Sequence, residues 1–392
     1  MHKFLLLCTF LVTLPGLYLK LTGLHASPPL EAVVFGFAIL GAAFLLSWAA
    51  EVAQMDISQA LAVAILALIA VLPEYAVDLY FAWAAAKQPE YGAYATANMT
   101  GANRLLVGFG WALVVWVFSL KFRRREINLE PSHRVEITFL GVATLYAFFL
   151  PFKEALSLMD TAIFLVIFGV YAWRIAQAEI HEPELVGPAR LIGSLPPSYR
   201  RLSAALLFFF SGAVIFLVAE PFAEALVHSG KTLGIDEFLL VQWLAPLASE
   251  APELIVAILW TLRGDAAAGL GALLSSKVNQ WTLLIGTIPL VYSISLGQVG
   301  ALALDLRQRH ELLLTSAQSL FALAVLVNLS LSLWESLALF GLFIVQLFIP
   351  DIRMEVSFIY IVLALILIIF KRSQVLSTIR GGFGQKAVGG GH

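Results

Sequence analysis

The sequence predicts an all-α membrane protein of about 12 transmembrane helices, arranged as two inverted five-helix repeats with one extra helix at each end. Three observations support this fold class. Of the 392 residues, 60% are hydrophobic and only 13% are charged, about half the charge of an average soluble protein. The apolar residues fall into long continuous segments. An unusual Pro-Glu pair also occurs once in each half of the chain, at Pro73-Glu74 and Pro252-Glu253.

The apolar segments set the predicted topology, because a membrane-spanning helix needs about 20 predominantly apolar residues. They fall into groups of one, five, five and one. Five is an odd number, so the second group of five enters the membrane from the opposite side, which makes the repeat inverted. The twelve segments are 3–23, 31–53, 57–86, 91–119, 134–152, 158–177, 202–228, 237–262, 266–293, 311–329, 332–349 and 355–371.

The chain is accordingly predicted to have five parts. The first could also be a signal peptide, because Lys3 precedes its apolar run, but the length of that run favours a helix. The middle part is polar and rich in proline, which predicts a connection between the repeats and not a folded domain. The parts are an N-terminal transmembrane helix with signal-like features (1–28), a first repeat (29–178), a cytoplasmic linker (179–201), a second repeat (202–350), and a C-terminal helix with a Gly-rich tail (351–392).

The basic residues are distributed unevenly between the predicted loops. Most of the 24 lie on one side, for example in the clusters Arg123–Arg125, Arg200-Arg201 and Lys371-Arg372. Loops rich in Lys and Arg face the cytoplasm. We therefore expect an integral protein of a prokaryotic cell membrane with both termini in the cytoplasm.

The two glutamates of the Pro-Glu pairs indicate an ion or proton pathway. Glu74 and Glu253 are 179 positions apart, and each lies within a strongly apolar stretch. A carboxylate at membrane depth is energetically costly and usually marks such a pathway. The preceding proline removes a backbone hydrogen bond and opens the helix at that point. Because the arrangement occurs twice, we expect the two repeats to share one ion site.

Two motifs in each half resemble the alpha-repeats of the cation/calcium exchanger superfamily. The family pattern is close to G-T-S-L-P-E followed, after a helix and a turn, by G-N-V-x-G-S-N. The first half has VLPEYAVDLYFAW and TANMTGANRLLVG, and the second has APLASEAPELIVAILW and GALLSSKVNQW. The resemblance implies inverted repeats and secondary active transport of cations.

The residue types in these motifs suit a hard cation, because Ca²⁺ takes 6–8 oxygen ligands. Glu74 and Asp78 are four positions apart, and Glu250 and Glu253 are three apart, so each pair shares one face of a helix. Asparagine and serine side chains of the second motif would complete the site. The expected ligands are Glu74, Asp78, Asn98, Asn103, Ser249, Glu250, Glu253, Ser275 and Ser276.

Lys277 departs from the family pattern, since it occupies the position that corresponds to Asn103 in the first repeat. An ammonium group there takes space and charge that a cation would otherwise use. We expect Lys277 to pair with Glu74 or Glu253, because an unpaired charge at that depth is costly. It would thereby set the number of positive charges that the site accepts, and protons would replace some of the family's sodium ions.

These observations predict a secondary active antiporter of the sodium/calcium exchanger type that exchanges a hard cation, Ca²⁺ or Na⁺, for H⁺. Two alternatives stay open: a Na⁺/Ca²⁺ exchanger of reduced stoichiometry, and a degenerate exchanger that does not transport and acts as a sensor or scaffold. The expected partners are inorganic cations, protons and the lipid bilayer. The sequence has no basic-aromatic pattern for nucleic acid, and we expect neither a resident cofactor nor an enzyme, since it has no P-loop, G-x-S-x-G or H-E-x-x-H motif.

Overall fold

The computed structural model describes residues 2–56, 72–177, 185 and 187–384. Most of these residues are helical, and the predicted all-α membrane fold is confirmed. The start of the third apolar segment, part of the linker and the end of the Gly-rich tail lie outside the described residues. The helices are α1 His2–Thr22, α2 Pro28–Ala53, α3 Leu72–Ala84, α4 Tyr91–Leu105, α5 Ala112–Phe122, α6 Arg134–Ala147, α7 Leu158–Ile175, α8 Pro188–Gly193, α9 Pro197–Leu233, α10 Glu237–Arg263, α11 Ala266–Asn279, α12 Ile285–Leu296, α13 Leu306–Leu326, α14 Leu333–Phe348, α15 Arg353–Phe370 and α16 Arg372–Phe383.

Eight helical runs within the described residues are long and apolar enough to cross a membrane. Helix α14 is apolar but shorter. The predicted total of about twelve spans stays a prediction, because part of the third segment lies outside the described residues. The eight runs are His2–Thr22, Pro28–Ala53, Tyr91–Phe122, Pro131–Phe152, Leu158–Ile175, Pro197–Leu233, Glu237–Arg263 and Pro350–Phe370.

Helix α9 is much longer than the predicted segment 202–228. It has 37 residues and begins at Pro197, because proline fits the first turn of a helix, where its missing N–H is not needed. It ends before Gly234, whose φ of 66° closes the last turn, a conformation that glycine adopts without strain. The helix therefore includes Arg200 and Arg201, which the sequence pattern placed in the linker.

The apolar run between 311 and 349 is divided in two, as the sequence predicts. Helix α13 ends at Leu326, and strand β4 (Ser330–Ser332) follows it. The Ser332 hydroxyl then caps α14 by accepting from the backbone N–H of Glu335. Strand β4 pairs antiparallel with β1 (Glu126–Asn128). A second short pair joins β2 (Ala155–Leu156) to β3 (Leu302–Ala303).

The chain forms two compact units. Unit 1 comprises Met1–Ala102 and Glu179–Ile255. Within it, α2 packs along α9 and α1 packs along α2. An apolar cluster joins α2 to α8 and α9, and an ion pair between Asp56 and Arg200 (2.7 Å) links the end of α2 to the start of α9. The cluster contains Leu45, Trp48, Val52, Ala189, Ile192 and Ala204.

Unit 2 comprises Asn103–Ala178 and Val256–His392. Its largest helix contact is between α13 and α15, and α6 packs against α7, α13 and α16. A largely buried ion network crosses this unit. The carboxylate of Glu311 lies 2.5 Å from the guanidinium of Arg104 and 2.5 Å from that of Arg353.

Candidate functional site

Both units contain residues predicted as ligands. Those of unit 1 lie on α3, on the first part of α4 and on the first part of α10; those of unit 2 lie at the end of α4 and on α11. The unit 1 residues are Glu74, Asp78, Asn98, Ser249, Glu250 and Glu253, and the unit 2 residues are Asn103, Ser275, Ser276 and Lys277.

Helix α3 carries two buried carboxylates. Glu74 is 2% exposed and Asp78 is 0% exposed. They are four residues apart on one helix, which places both side chains on the same face. Two buried acids on one face are costly unless a cation, a proton or a donor compensates them.

Asp78 contacts the second motif directly. The amide nitrogen of Asn98 on α4 donates to Oδ1 of Asp78 at 2.9 Å. A carboxylate can only accept, so this bond turns the amide oxygen of Asn98 away from the Oδ1 it contacts. Oδ2 of Asp78 and Oδ1 of Asn98 are both buried and accept no hydrogen bond from the described residues. The pair therefore presents two oxygen atoms that can bind a cation.

Helix α10 meets α4 at a proline. Pro246 cannot donate a backbone hydrogen bond, so the carbonyl of Gln242, four residues earlier, is left without its usual helical partner. Gly101 lies against that carbonyl so closely that a Cβ atom on it would be 1.9 Å from the oxygen. The side-chain amide of Gln242 also donates to the hydroxyl of Thr100 at 3.5 Å. These contacts hold the helix that carries Asn98 against the helix that carries Glu250 and Glu253.

The α10 motif contains a second proline, Pro252, and the helix continues through both. The hydroxyl of Ser249 donates to the backbone oxygens of Ala245 (3.2 Å) and Pro246 (3.4 Å). Glu250 is 2% exposed, whereas Glu253 is partly exposed. The sequence-based expectation that all three residues bind a cation stays a prediction.

In unit 2, Lys277 has a defined environment. It is fully buried, and its ammonium donates to the side-chain oxygen of Asn103 at 2.7 Å. The same ammonium lies 4.7 Å from the ring centroid of Trp281, a distance at which a cation is attracted to an aromatic face. The side-chain oxygen of Asn103 is thus in contact with a positive charge supplied by the protein itself.

A π-helical turn follows each second motif. The turns cover Leu106–Trp111, after Asn103, and Gln280–Leu284, after Lys277. Such turns widen a helix locally and are frequent at functional sites. The predicted segment 266–293 is therefore one long helical run with a widened turn in its middle.

Ser275 faces another acid. Its hydroxyl lies 3.4 Å from Oε1 of Glu136 on α6, which in turn lies 3.5 Å from Nδ1 of His133. Ser276 is buried. For both serines, the expected role as a cation ligand stays a prediction.

Sequence reasoning missed a cluster of polar side chains in unit 1. Both carboxylate oxygens of Glu224 accept from the hydroxyl of Tyr91, at 2.9 and 2.8 Å, and Glu224 also accepts from Tyr80. These bonds join α9 to α3 and α4. The available signal was the spacing of four residues between Glu220 and Glu224, which puts two acids on one face of α9. Glu220 itself is exposed and pairs with Lys20 at 3.0 Å.

Comparison with known proteins gives a consistent result. A family model described as sodium/calcium exchanger protein matches residues 30–176 and 203–350. The crystal structure of the H⁺/Ca²⁺ exchanger CAX is 48% identical to this chain, covers 97% of each chain and has a TM-score of 0.93.

Two further solved structures share the fold at low sequence identity. Native YfkE is 16% identical, covers 87% of this chain and 98% of its own, and has a TM-score of 0.66. The sodium-calcium exchanger NCX_Mj is 15% identical, covers 88% of this chain and 99% of its own, and has a TM-score of 0.53. The comparison with curated proteins found no match.

Proposed function

This chain belongs to the sodium/calcium exchanger family, and we propose that it is a secondary active antiporter that exchanges Ca²⁺ for H⁺. The likeness to the H⁺/Ca²⁺ exchanger CAX, at 48% identity over 97% of both chains, supports this choice of ions. The observation that carries the proposal is the Asp78–Asn98 pair. It offers two buried oxygens that accept no hydrogen bond from the described residues, beside the buried carboxylate of Glu74 on the same helix.

The exchange follows from the cost of burying negative charge. A carboxylate removed from water is costly when it is neither paired nor protonated. Calcium neutralises such groups by coordination, and protons neutralise them by binding to the oxygens. The two ions therefore compete for the same acids, and in the proposal Glu74 and Glu253 carry the protons when Ca²⁺ leaves. Asp78, Asn98 and Glu250 complete the coordination.

Lys277 favours protons over sodium as the counter-ion. Its ammonium contacts Asn103 Oδ1 at 2.7 Å, so that oxygen is not open to a sodium ion. In the proposal, a positive charge on this ammonium lowers the number of further cations that the site accepts. In the proposal Lys277 is thus the residue that limits the charge bound in each cycle.

The proposal is tested in proteoliposomes with a pH-sensitive dye inside and no Na⁺ on either side. An outward-directed proton gradient should drive Ca²⁺ uptake, and Ca²⁺ added outside should drive proton release from the vesicles. Each of Glu74→Gln, Asp78→Asn and Glu253→Gln should reduce uptake to the level of protein-free vesicles. Glu220→Gln is the matched control and should transport normally, because Glu220 is an exposed acid paired with Lys20.

Other outcomes would identify the alternatives. Calcium uptake driven by a Na⁺ gradient at equal pH on both sides would indicate a Na⁺/Ca²⁺ exchanger of reduced stoichiometry. Lys277→Asn should favour Na⁺/Ca²⁺ exchange, since it gives the second repeat the same neutral amide that Asn103 provides in the first. Folded protein with no cation-dependent flux and no thermal shift with Ca²⁺ would indicate a degenerate exchanger. Normal exchange by Glu253→Gln would remove the proposed proton carrier.

The proposal also includes the orientation, with both termini on the cytoplasmic side of a prokaryotic cell membrane. The basic clusters at Arg123–Arg125 and Lys371-Arg372 support it through the positive-inside rule. Reporter fusions after Phe383 and after Lys153 should report opposite sides. The same side for both fusions would contradict the orientation.

A further inference from the structure

A cavity of about 650 Å³ lies in unit 2 between α5 and α14, on residues that the antiport proposal does not use. Its size is within the range of small-molecule and lipid pockets. Strands β1 and β4 pair directly beside it, and the backbone N–H of Leu333 donates to the carbonyl of Arg125 at 2.7 Å. This pairing fixes the end of α5 to the start of α14. The residues that line the cavity are Trp116, Ser119, Leu120, Arg123, Arg125, Leu333 and Leu337.

The walls of the cavity are apolar and open to the surroundings. Leu120 is 84% exposed and Leu337 is 41% exposed. Helix α5 is the last part of the apolar run Tyr91–Phe122, and in a membrane protein exposed leucines on such a run contact acyl chains. The basic loop that follows this run places the cavity at the level where lipid headgroups begin.

The rim of the cavity is positively charged. Neither Arg123 nor Arg125 has a side-chain hydrogen bond or an ion pair with any of the described residues. By contrast, Lys121 is engaged, because its ammonium donates to the carbonyl of Leu262. Two guanidinium groups without a carboxylate partner favour an anionic ligand, and a guanidinium binds phosphate oxygens in a bidentate manner.

Two of the residues that line the cavity, Ser119 and Trp116, carry polar atoms without a partner. Ser119 Oγ and Trp116 Nε1 are buried and have no hydrogen-bond partner among the described residues. A buried donor without a partner costs free energy comparable to a lost hydrogen bond. Tryptophan is also enriched at the membrane interface, where its N–H contacts polar headgroup atoms. A ligand with ester or phosphate oxygens above an acyl chain satisfies both donors.

From this combination we propose that the cavity is a binding site for an anionic phospholipid. The phosphate contacts Arg123 and Arg125, the polar linkage of the lipid reaches Ser119 and Trp116, and an acyl chain lies along Leu120, Leu333 and Leu337. Charge complementarity selects an anionic lipid over a zwitterionic one, and the leucine wall selects a lipid over a free phosphate ion. Basic pockets between transmembrane helices are a known physical basis for this selectivity.

The test uses the full-length protein purified in detergent. Dioleoylphosphatidylglycerol and dioleoylphosphatidylcholine, which carry the same acyl chains, are titrated separately. Retained lipid is measured by native mass spectrometry and stability by thermal unfolding. The anionic lipid should be retained and should raise the melting temperature more than the zwitterionic lipid does.

The double variant Arg123→Gln/Arg125→Gln should bind the anionic lipid about twenty-five-fold more weakly, since each basic side chain near an anionic headgroup contributes roughly fivefold. Arg124→Gln is the matched control. Arg124 lies in the same loop and has no ion pair among the described residues, but it does not line the cavity. The control should bind the anionic lipid as the unaltered protein does.

A second variant acts through the apolar wall alone. Leu337→Trp fills the space for the acyl chain and keeps both arginines, so it should also lose the lipid. If the arginine variant does not fold, this variant decides the question. Normal retention of the anionic lipid by Leu337→Trp would then overturn the proposal.

Three more results would overturn it. The first is retention of the anionic lipid by a folded arginine double variant. The second is an equal thermal shift with inorganic phosphate alone, which would indicate an ion site. The third is a lipid-independent association of two copies that is lost in the arginine variant, which would indicate a protein interface.

Discussion

Gly101 shows how a single residue positions the candidate site. A Cβ atom at this residue would lie 1.9 Å from the backbone oxygen of Gln242. Backbone cannot move aside as the end of a flexible side chain can. Gly101→Ala should therefore push α4 away from α10, at a cost of at least about 1–3 kcal/mol of stability. Thermal unfolding and Ca²⁺ titration of the purified variant should show a lower melting temperature and weaker calcium binding.

The control for this prediction is Gly212→Ala. Gly212 also lies in a helix, but a Cβ there would meet no atom within 4 Å. Alanine in an open helical position is neutral or stabilises by up to about 1 kcal/mol. Equal behaviour of the two variants would show that the close contact at Gly101 does not hold the helices together.

At the residue scale, the sequence identified candidate ligand side chains more readily than the residues that those side chains contact. The cost of acids in an apolar stretch was enough to select Glu74, Asp78 and Glu250, which the structure buries. Contacts between helices that lie far apart in the sequence were harder to predict. Lys277 was expected to pair with Glu74 or Glu253, which stays a prediction, whereas its contact with Asn103 was not predicted. The Gly101–Gln242 contact could not be predicted, because it depends on the distance between two helix axes.

An ion pair joins two helices of unit 1, and its effect depends on pH. The hydrogen bonds from Arg200 first, and then from Arg201, lower the pKa of Asp56 from 3.8 to about 2. A carboxylate with a lowered pKa in the folded state stabilises that state when it is ionised. Its contribution is therefore complete above about pH 4 and is lost as the pH falls from about 4 to about 2.

The lowered pKa of Asp56 predicts how the stability of the variant Asp56→Asn depends on pH. At neutral pH the variant should melt a few degrees below the unaltered protein, and the difference should shrink as the pH falls through this window. Asp351→Asn is the control, since Asp351 is exposed and has no ion pair among the described residues; it should match the unaltered protein at each pH. A difference in melting temperature that is constant down to about pH 2 would contradict the assignment.

The buried network in unit 2 links α4, α13 and α15. Glu311 is 0% exposed and Arg104 is 1% exposed, and the carboxylate compensates two guanidinium groups. Glu311→Gln would remove the carboxylate that Arg104 and Arg353 both contact, and breaking a buried pair by removing one partner typically costs about 3–5 kcal/mol. Chemical or thermal unfolding of the variant should show a large loss of stability. Glu355→Gln, an exposed acid in the first turn of α15, should change stability by no more than about 0.5 kcal/mol.

At the scale of elements, apolar length predicted the helices well and their ends less well. The division near Asn328 was predicted from the length of the run, and the structure has α13, β4 and α14 there. The start of α9 was misplaced because Arg200 and Arg201 were taken as loop residues. In the structure they lie within the helix, and their charges are paired with Asp56. A charge that is compensated by another helix cannot be distinguished from a loop charge in the sequence alone.

At the scale of the whole molecule, the repeats of the sequence and the compact units of the structure divide the chain differently. Each unit combines segments from both halves of the chain. In unit 1, α2 packs on α9 from the second half. In unit 2, β1 pairs with β4, and Arg104 pairs with Glu311. Sequence periodicity detects the duplicated segments, but it does not show which segments pack together, since packing depends on contacts between the halves.

A chain divided between its two repeats should therefore still assemble. We expect that fragments 1–182 and 183–392, expressed together with an affinity tag on one of them, copurify in detergent and restore Ca²⁺/H⁺ exchange in proteoliposomes. The physical reason is that each unit buries apolar surface between the two fragments, as in the cluster of Leu45, Trp48, Ala189 and Ile192. Glu311→Gln in the second fragment should reduce the yield of the copurified first fragment, because it removes a carboxylate that contacts Arg104. Fragments that are each stable and monodisperse when expressed alone, and that do not copurify, would show that the folding units are the repeats themselves.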